Sequence, residues 1–222
     1  VSAPDFALRP QLAEDVARFV RKRIFDGTYG AGEYVRLDQL AAELGISVTP
    51  VREALFELKA EGLLAQQPRR GFVVLPVTGR DLTDVSNVQA HIGGELAARA
   101  AVNITEEQLA DLEQIQSDLE RAYAVGDDEQ AMRLNHEFHR AINVAAESPK
   151  LAQLMSQITR YAPESVFPVI TGWPDKSNAH HRRLLDALAR HDEAGARQAM
   201  SEHLAAGAKP LIAHLTERGV VS

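Results

Sequence analysis

One stretch limits the fold more than any other. Residues 37–74 run helix, stop, helix, stop, hairpin within fewer than forty positions. "LDQLAAELG" has the apolar spacing of a short helix ended by Gly45. "ISVTPVREALFELKAEG" predicts a second helix, with Thr49 as its N-cap, Pro50 in its first turn and Gly62 at its end. In "LLAQQPRRGFVVLPV" the period changes, and two short apolar runs flank a Pro-Arg-Arg-Gly turn, the pattern of a hairpin. Upstream, Leu12, Val16, Phe19, Val20 and Ile24 recur at helical spacing over residues 9–26, where Gly27 stops them. Three helices and a hairpin predict a winged helix-turn-helix over residues 9–75. "GTYGAGEYV" is expected to be a turn-rich connector between the first two helices.

Beyond a linker at 76–80 the expectation is all-helical through residue 219. Periodic Leu, Ala, Ile and Met mark helices at Asp81–Asn103, Thr105–Val125, Asp127–Glu147, Pro149–Phe167, Lys176–Arg190 and Glu193–Gly219. Thr105 with Gln108 has the form of a capping box, and Ser148-Pro149 of a cap followed by a proline at the first helical position. "VFPVITGWP" (166–174) is the one clearly non-helical connection. The fold class is therefore mostly α: an N-terminal winged helix-turn-helix and a C-terminal antiparallel bundle of about six helices.

Composition removes several functions. There is no cysteine, hence no disulfide, thiolate-held zinc or thiol nucleophile. No apolar run approaches the roughly 20 residues that span a bilayer, and residues 1–9 carry no secretory pattern; no membrane association and a cytoplasmic location are the expectations. The net charge of -7 argues weakly against nucleic acid, but its distribution reverses the point. Residues 1–75 hold 10 basic and 10 acidic side chains, so the excess lies wholly in the later part. A neutral module binds DNA when its cations share a face. A second helix starting near Val48 offers its first turn to a major groove: Thr49 can bond a phosphate or base edge, and Arg52 follows one turn on. Arg69 and Arg70 sit at the hairpin tip, where Gly71 permits a tight turn, positioned for the adjacent minor groove or backbone. The alternative is that these arginines are ordinary solvated charges.

The string "LDQLAAELGISVTPVREALFELKAEGLLAQQPRRGFVV", with the unusual "TPVREAL" and the lead-in "GTYGAGEYV", resembles the GntR family of transcription regulators over about residues 12–75. The resemblance implies a DNA reader, not an enzyme. Where relatives carry an arginine before the threonine, this chain has Val48, which removes a bidentate base contact worth about 1–3 kcal/mol and implies a different operator.

Residues 80–218 resemble, more loosely, the FCD domain of the FadR-like subfamily, in which a helical bundle encloses a ligand cavity and a divalent metal. "MRLNHEFHRAI" is similar to that family's D-x-x-F-H segment, "HHRRLLDALARHD" to its E-H-R-x-L-L-D-A-L segment and "AMSEHL" to its final H-L. The resemblance thus implies a metal set of Asn135, His139, His181 and His203, with asparagine for the more frequent aspartate and His180 at the usual glutamate. Asn135 and His139, four apart, share a helix face, and imidazoles with an amide oxygen suit zinc or nickel. The alternative is a hydrogen-bonded polar core without metal. The family's arginine and glutamate on the first bundle helix are Gln89 and Gly93 here, which weakens the case for a simple organic acid as effector. His91, Arg133 and Arg160 are candidate replacements. Gly93 and Gly94 leave room for a bulkier ligand or for close helix packing. Tyr161, Phe167 and Trp173 either line the cavity or fill the core. His136, His180, His191 and His214 have solvent-facing explanations.

A winged helix reads one half-site, so a homodimer on palindromic double-stranded DNA is expected. The resemblance implies a repressor released by a small-molecule effector, an organic acid or sugar acid. A regulator answering to metal itself is the first rival. A metal-dependent hydrolase is the second, but no motif supplies its acid or base.

Overall fold

The computed structural model describes residues 10–161 and 164–221; residue 9, where the predicted reader begins, lies outside them. The chain divides into two compact units, Val1–Gly79 with Leu215–Ser222, and Arg80–His214.

In the first unit α1 (Pro10–Phe25), α2 (Leu37–Leu44) and α3 (Val48–Ala60) pack beside a three-stranded antiparallel sheet. Its strands, β1 (Tyr34–Val35), β2 (Leu64–Gln67) and β3 (Gly71–Val74), lie in the order β1-β3-β2. The helix spacing read from the sequence is the buried face in part: Val16, Val20 and Ile24 of α1, which packs on α3, are almost inaccessible, as are Val51, Leu55 and Leu58 of α3, whereas Leu12 is exposed and Phe19 half-buried. Strand alternation buries Phe72 and Val74. Arg21 of α1 donates two bonds, 3.0 and 2.6 Å, to the Glu61 carboxylate at the end of α3, fixing the angle between the helices. Gly45 ends α2 in the left-handed conformation its backbone requires (φ 66°), and its N–H caps α2 carbonyls.

Two local expectations change. The N-cap of α3 is Ser47, not Thr49, and Thr49 and Pro50 lie inside the first turn; proline is tolerated there because first-turn N–H groups have no intrahelical acceptor. The connector also carries β1, whose Tyr34 and Val35 pair with Val73 and Phe72. Two residues are too few to show a strand period.

The second unit holds α4 (Gly79–Asn103), α5 (Glu106–Val125), α6 (Asp128–Ala145), α7 (Pro149–Thr159), α8 (Trp173–Ala189) and most of α9 (Glu193–Glu217). Thr105 and Gln108 form the reciprocal capping box, at 3.2 and 3.0 Å. Asp127 caps α6. Ser148 precedes Pro149 as expected, but its hydroxyl accepts from Arg99 rather than from α7. α7 stops at Thr159, short of the predicted Phe167, and Glu164–Val169 forms a 3-10 turn containing Pro168. α8 begins at Trp173, three residues earlier than predicted, after Gly172. The core joins Leu96, Ala97 and Ala100 of α4 to Phe138, Ile142, Leu184, Leu188 and Met200. Gly93 and Gly94 serve close packing: a Cβ on either would fall 2.4 Å from Leu204 Cδ1 or 2.3 Å from Ser201 Oγ, both on α9.

The residues from Leu215 onward return to the first unit, where Val77 and Val221 pair as a parallel bridge. Among the described residues no helix is long and apolar enough to cross a membrane.

Candidate functional site

α3 buries one face and leaves Thr49, Arg52, Glu53 and Phe56 exposed at i, i+3, i+4 and i+7, a single stripe. The hairpin tip holds Arg69 (φ 65°) and Gly71 (φ 96°), both left-handed. Gly71 is required twice over, by that φ and by β1: a Cβ there would sit 2.9 Å from the Val35 carbonyl oxygen. Arg69 and Arg70 are exposed. Tyr34 donates to Gln67 at 2.9 Å and accepts from Arg70 at 3.5 Å, so a residue outside the hairpin steadies the wing.

In the second unit α6, α8 and α9 bring His139, His181 and His203 together, with one ligating atom from each within 4.8 Å of the others. Nε2 of His203 lies 3.4 Å from Nε2 of His181 and 3.2 Å from that of His139. The ring of His181 is sandwiched against Phe138, centroids 4.2 Å apart. Burial, and then the neighbouring imidazoles, push His181 and His203 well below the ordinary imidazole value, so both are neutral near neutral pH. Neutral rings with convergent lone pairs are what a divalent cation needs; this donor set fits one.

The orientation of His181 comes from a residue that sequence spacing did not point to. Gln116 of α5, fully buried, presents Oε1 to His181 Nδ1 at 2.7 Å. Its amide nitrogen donates to Glu120 and to Asn178, each at 3.0 Å. The amide orientation follows, since only the oxygen is left to face the ring. His181 therefore carries its proton on Nδ1 and its lone pair on Nε2, toward the other two histidines. Arg182 grips both oxygens of Glu120 at 2.7 and 2.8 Å and holds its carboxyl below the usual range. His203 has no such partner: its Nδ1 is buried without a hydrogen bond.

A cavity of about 360 Å³ opens on the cluster, with His139, His203 and Asn135 in its wall. Gln89 and Trp173 also line it, Gln89 donating to the Ile158 carbonyl at 3.3 Å. The other three candidate effector residues lie elsewhere. His91 is exposed on α4. Arg133 is exposed in a shallow groove with Asp127 and Glu137 and bonds Gln130. Arg160, half-buried beyond α7, is not among the lining residues. The arginine among the lining residues is Arg140, exposed on α6. Helical period did not single it out: 133, 136, 140 and 143 form one stripe of α6, and of these 136, 140 and 143 line the cavity. Phe167 lines it too. His136 is exposed, His180 and His214 are half-buried, and His191 bonds the Ala101 carbonyl at 2.7 Å.

An exposed helix face beside a basic hairpin tip, and a helical unit with a histidine-floored cavity, have the architecture of a DNA-binding regulator. The model of bacterial regulatory proteins of the gntR family matches residues 12–74, and the FCD domain model matches residues 84–206. The chain belongs to the GntR family and carries an FCD domain. It is 29% identical over 195 residues to the HTH-type transcriptional regulator McbR of Escherichia coli K12, covering 86% of this chain and 88% of that protein. To the HTH-type transcriptional repressor GlaR of the same organism it is 26% identical over 200 residues, covering 86% and 91%. The solved structure of E. coli McbR/YncC superposes with a TM-score of 0.72 at 26% identity, covering 94% of this chain and 98% of that one. A GntR regulator from Rhodococcus sp. RHA1, at 24% identity and a TM-score of 0.61, shares the fold. The chain is thus a DNA-binding transcriptional regulator, of a fold and family that are non-catalytic.

Proposed function

We propose that the chain is a repressor that binds a palindromic operator as a homodimer and is released by a small-molecule effector bound beside a divalent metal. Thr49 and Arg52 read the major groove, while Arg69, Arg70 and the backbone at Gly71 engage the adjacent minor groove or phosphates. Asn135, His139, His181 and His203 hold the metal, zinc or nickel, which supplies a Lewis-acidic anchor for an effector donor atom. Gln116 orients His181, and the cavity above the cluster receives the rest of the effector, with Gln89 and Trp173 in its wall.

The observation that carries this reading is the convergence of three Nε2 atoms. Their 3.4 and 3.2 Å separations are close to the edge of about 3.3 Å of a tetrahedron with Zn–N bonds of about 2.0–2.1 Å. Effector or metal releases the operator only by binding one arrangement of the readers more tightly than the other.

The test is operator affinity by fluorescence anisotropy on metal-stripped and zinc-loaded full chain, with light scattering for the dimer. Zinc-loaded protein that binds operator and lets go on adding effector supports the reading. Release by zinc alone favours the regulator that answers to metal itself. A chain and a His203→Ala variant that both fail to retain zinc under metal-replete dialysis refute the metal site.

A further inference from the structure

We infer that the effector is a small aromatic monocarboxylate, its acid group at the histidine cluster and Arg140 and its ring against Phe167 and Trp173. This rests on the cavity being the effector site. The polar lining is densest on α6, which contributes Asn135, His136, His139, Arg140 and Asn143. Phe167, Trp173, Leu204, Gly207 and Leu211 make an apolar wall.

The rings of Phe167 and Trp173 lie 4.8 Å apart, and that of Trp173 is 5.9 Å from His203. The apolar surface therefore begins beside the cluster, and the ligand's ring follows its acid group within a few bonds. Gly207 belongs to the same wall: a Cβ there would lie 3.2–3.3 Å from both rings. With glycine the two rings approach α9 closely without a clash.

Charge and size point the same way. No carboxylate lines the cavity among the described residues to repel an acid group. Among the described lining residues Arg140 is the one arginine, and it shares α6 with Asn135 and His139, so groups able to bind an acid lie along that helix. A sugar acid would set hydroxyls against Phe167, Leu204 and Leu211, whose side chains offer no hydrogen-bond partner. At about 360 Å³ the cavity is at the small end of ligand pockets, room for one ring and a short acid arm.

Trp173 is the sole tryptophan of the chain, so its emission reports occupancy directly. Zinc-loaded full chain is titrated with 3-phenylpropanoate and with gluconate, and zinc content is measured in the same samples. The expected result is a Trp173 response and about tenfold to a hundredfold tighter binding of the aromatic acid. Gly207→Ala, which pushes the rings into the cavity, and Leu211→Ala, which strips the apolar wall, each weaken that binding while zinc stays in place. Equal or tighter gluconate binding, or aromatic affinity unchanged in both variants, overturns the inference. Zinc retained with no response to the aromatic acid also overturns it but leaves the metal reading standing. Aromatic binding without retained zinc keeps the inference and removes the metal.

Discussion

Replacing Gln116 with methionine tests the orientation of His181 without emptying the space Gln116 fills. The side chains are close in size, so packing against the fully buried site is kept, while the acceptor for His181 Nδ1 is lost. Losing such an outer partner costs about 10–100-fold in metal affinity, or about 1.4–2.7 kcal/mol. The orphaned Nδ1–H adds about 1–3 kcal/mol of instability to the metal-free fold. Asn178→Ala removes only one bond on the far side of the same amide, and its effect on metal affinity should stay under about tenfold. Competition with a chromophoric chelator measures zinc affinity, and long-range proton–nitrogen spectra show which ring nitrogen of His181 bears the proton. If Gln116→Met holds zinc as tightly as the parent chain, with the Nδ1-protonated tautomer unchanged, the ring is oriented by something else and the argument fails.

Three further outcomes are expected. Arg52→Ala should leave thermal stability unchanged, since the side chain is exposed, and cost about 1–3 kcal/mol of operator binding with relaxed base preference; equal affinity for operator and mutated operators in parent and variant would refute a reading role. Gly71→Ala should loosen the wing, because it combines an unfavourable φ with a clash at the Val35 carbonyl, so operator affinity falls while zinc retention does not; anisotropy and metal analysis check the two halves. In metal-free protein the depressed imidazoles of His181 and His203 make stability pH-dependent. Below their ordinary value of 6.5 the unfolded chain takes up protons that the folded chain does not, so stability falls as pH drops from there toward the folded values and is flat above. Denaturant midpoints at successive pH values read this directly, and a midpoint that rises on acidification would contradict it.

Much of the fold was legible because its signals are local. Gly45 ends α2 with a left-handed backbone, and Thr105 with Gln108 writes a capping box into four residues. The division of α3 into a packed face at Val51, Leu55 and Leu58 and an open face at Thr49 and Arg52 is a matter of helical period. Histidines 139, 181 and 203 were found through motif resemblance on three separate helices. What escaped is non-local. Gln116 is 65 residues from His181, and helical period says which way a residue faces on its own helix, not what stands opposite. The same limit left Arg133 and Arg140 indistinguishable: they are two turns apart on one face of α6, yet Arg133 lines the neighbouring groove and Arg140 the cavity. The predicted helix does not run on to Phe167 as α-helix, and Pro168, which has no N–H to continue it, stands in the 3-10 turn Glu164–Val169.

The pairing of Val77 with Val221 has a temporal consequence. The first unit is built from two separated stretches of chain, and the second of them is joined to the first through the whole of the helical unit. A ribosome that has finished the reader helix and wing has still not finished the unit that carries them; the stretch after Leu215 emerges only once the six bundle helices have been made. The DNA-binding unit is therefore completed after the helical one, and a chain whose first unit is whole already carries the entire bundle.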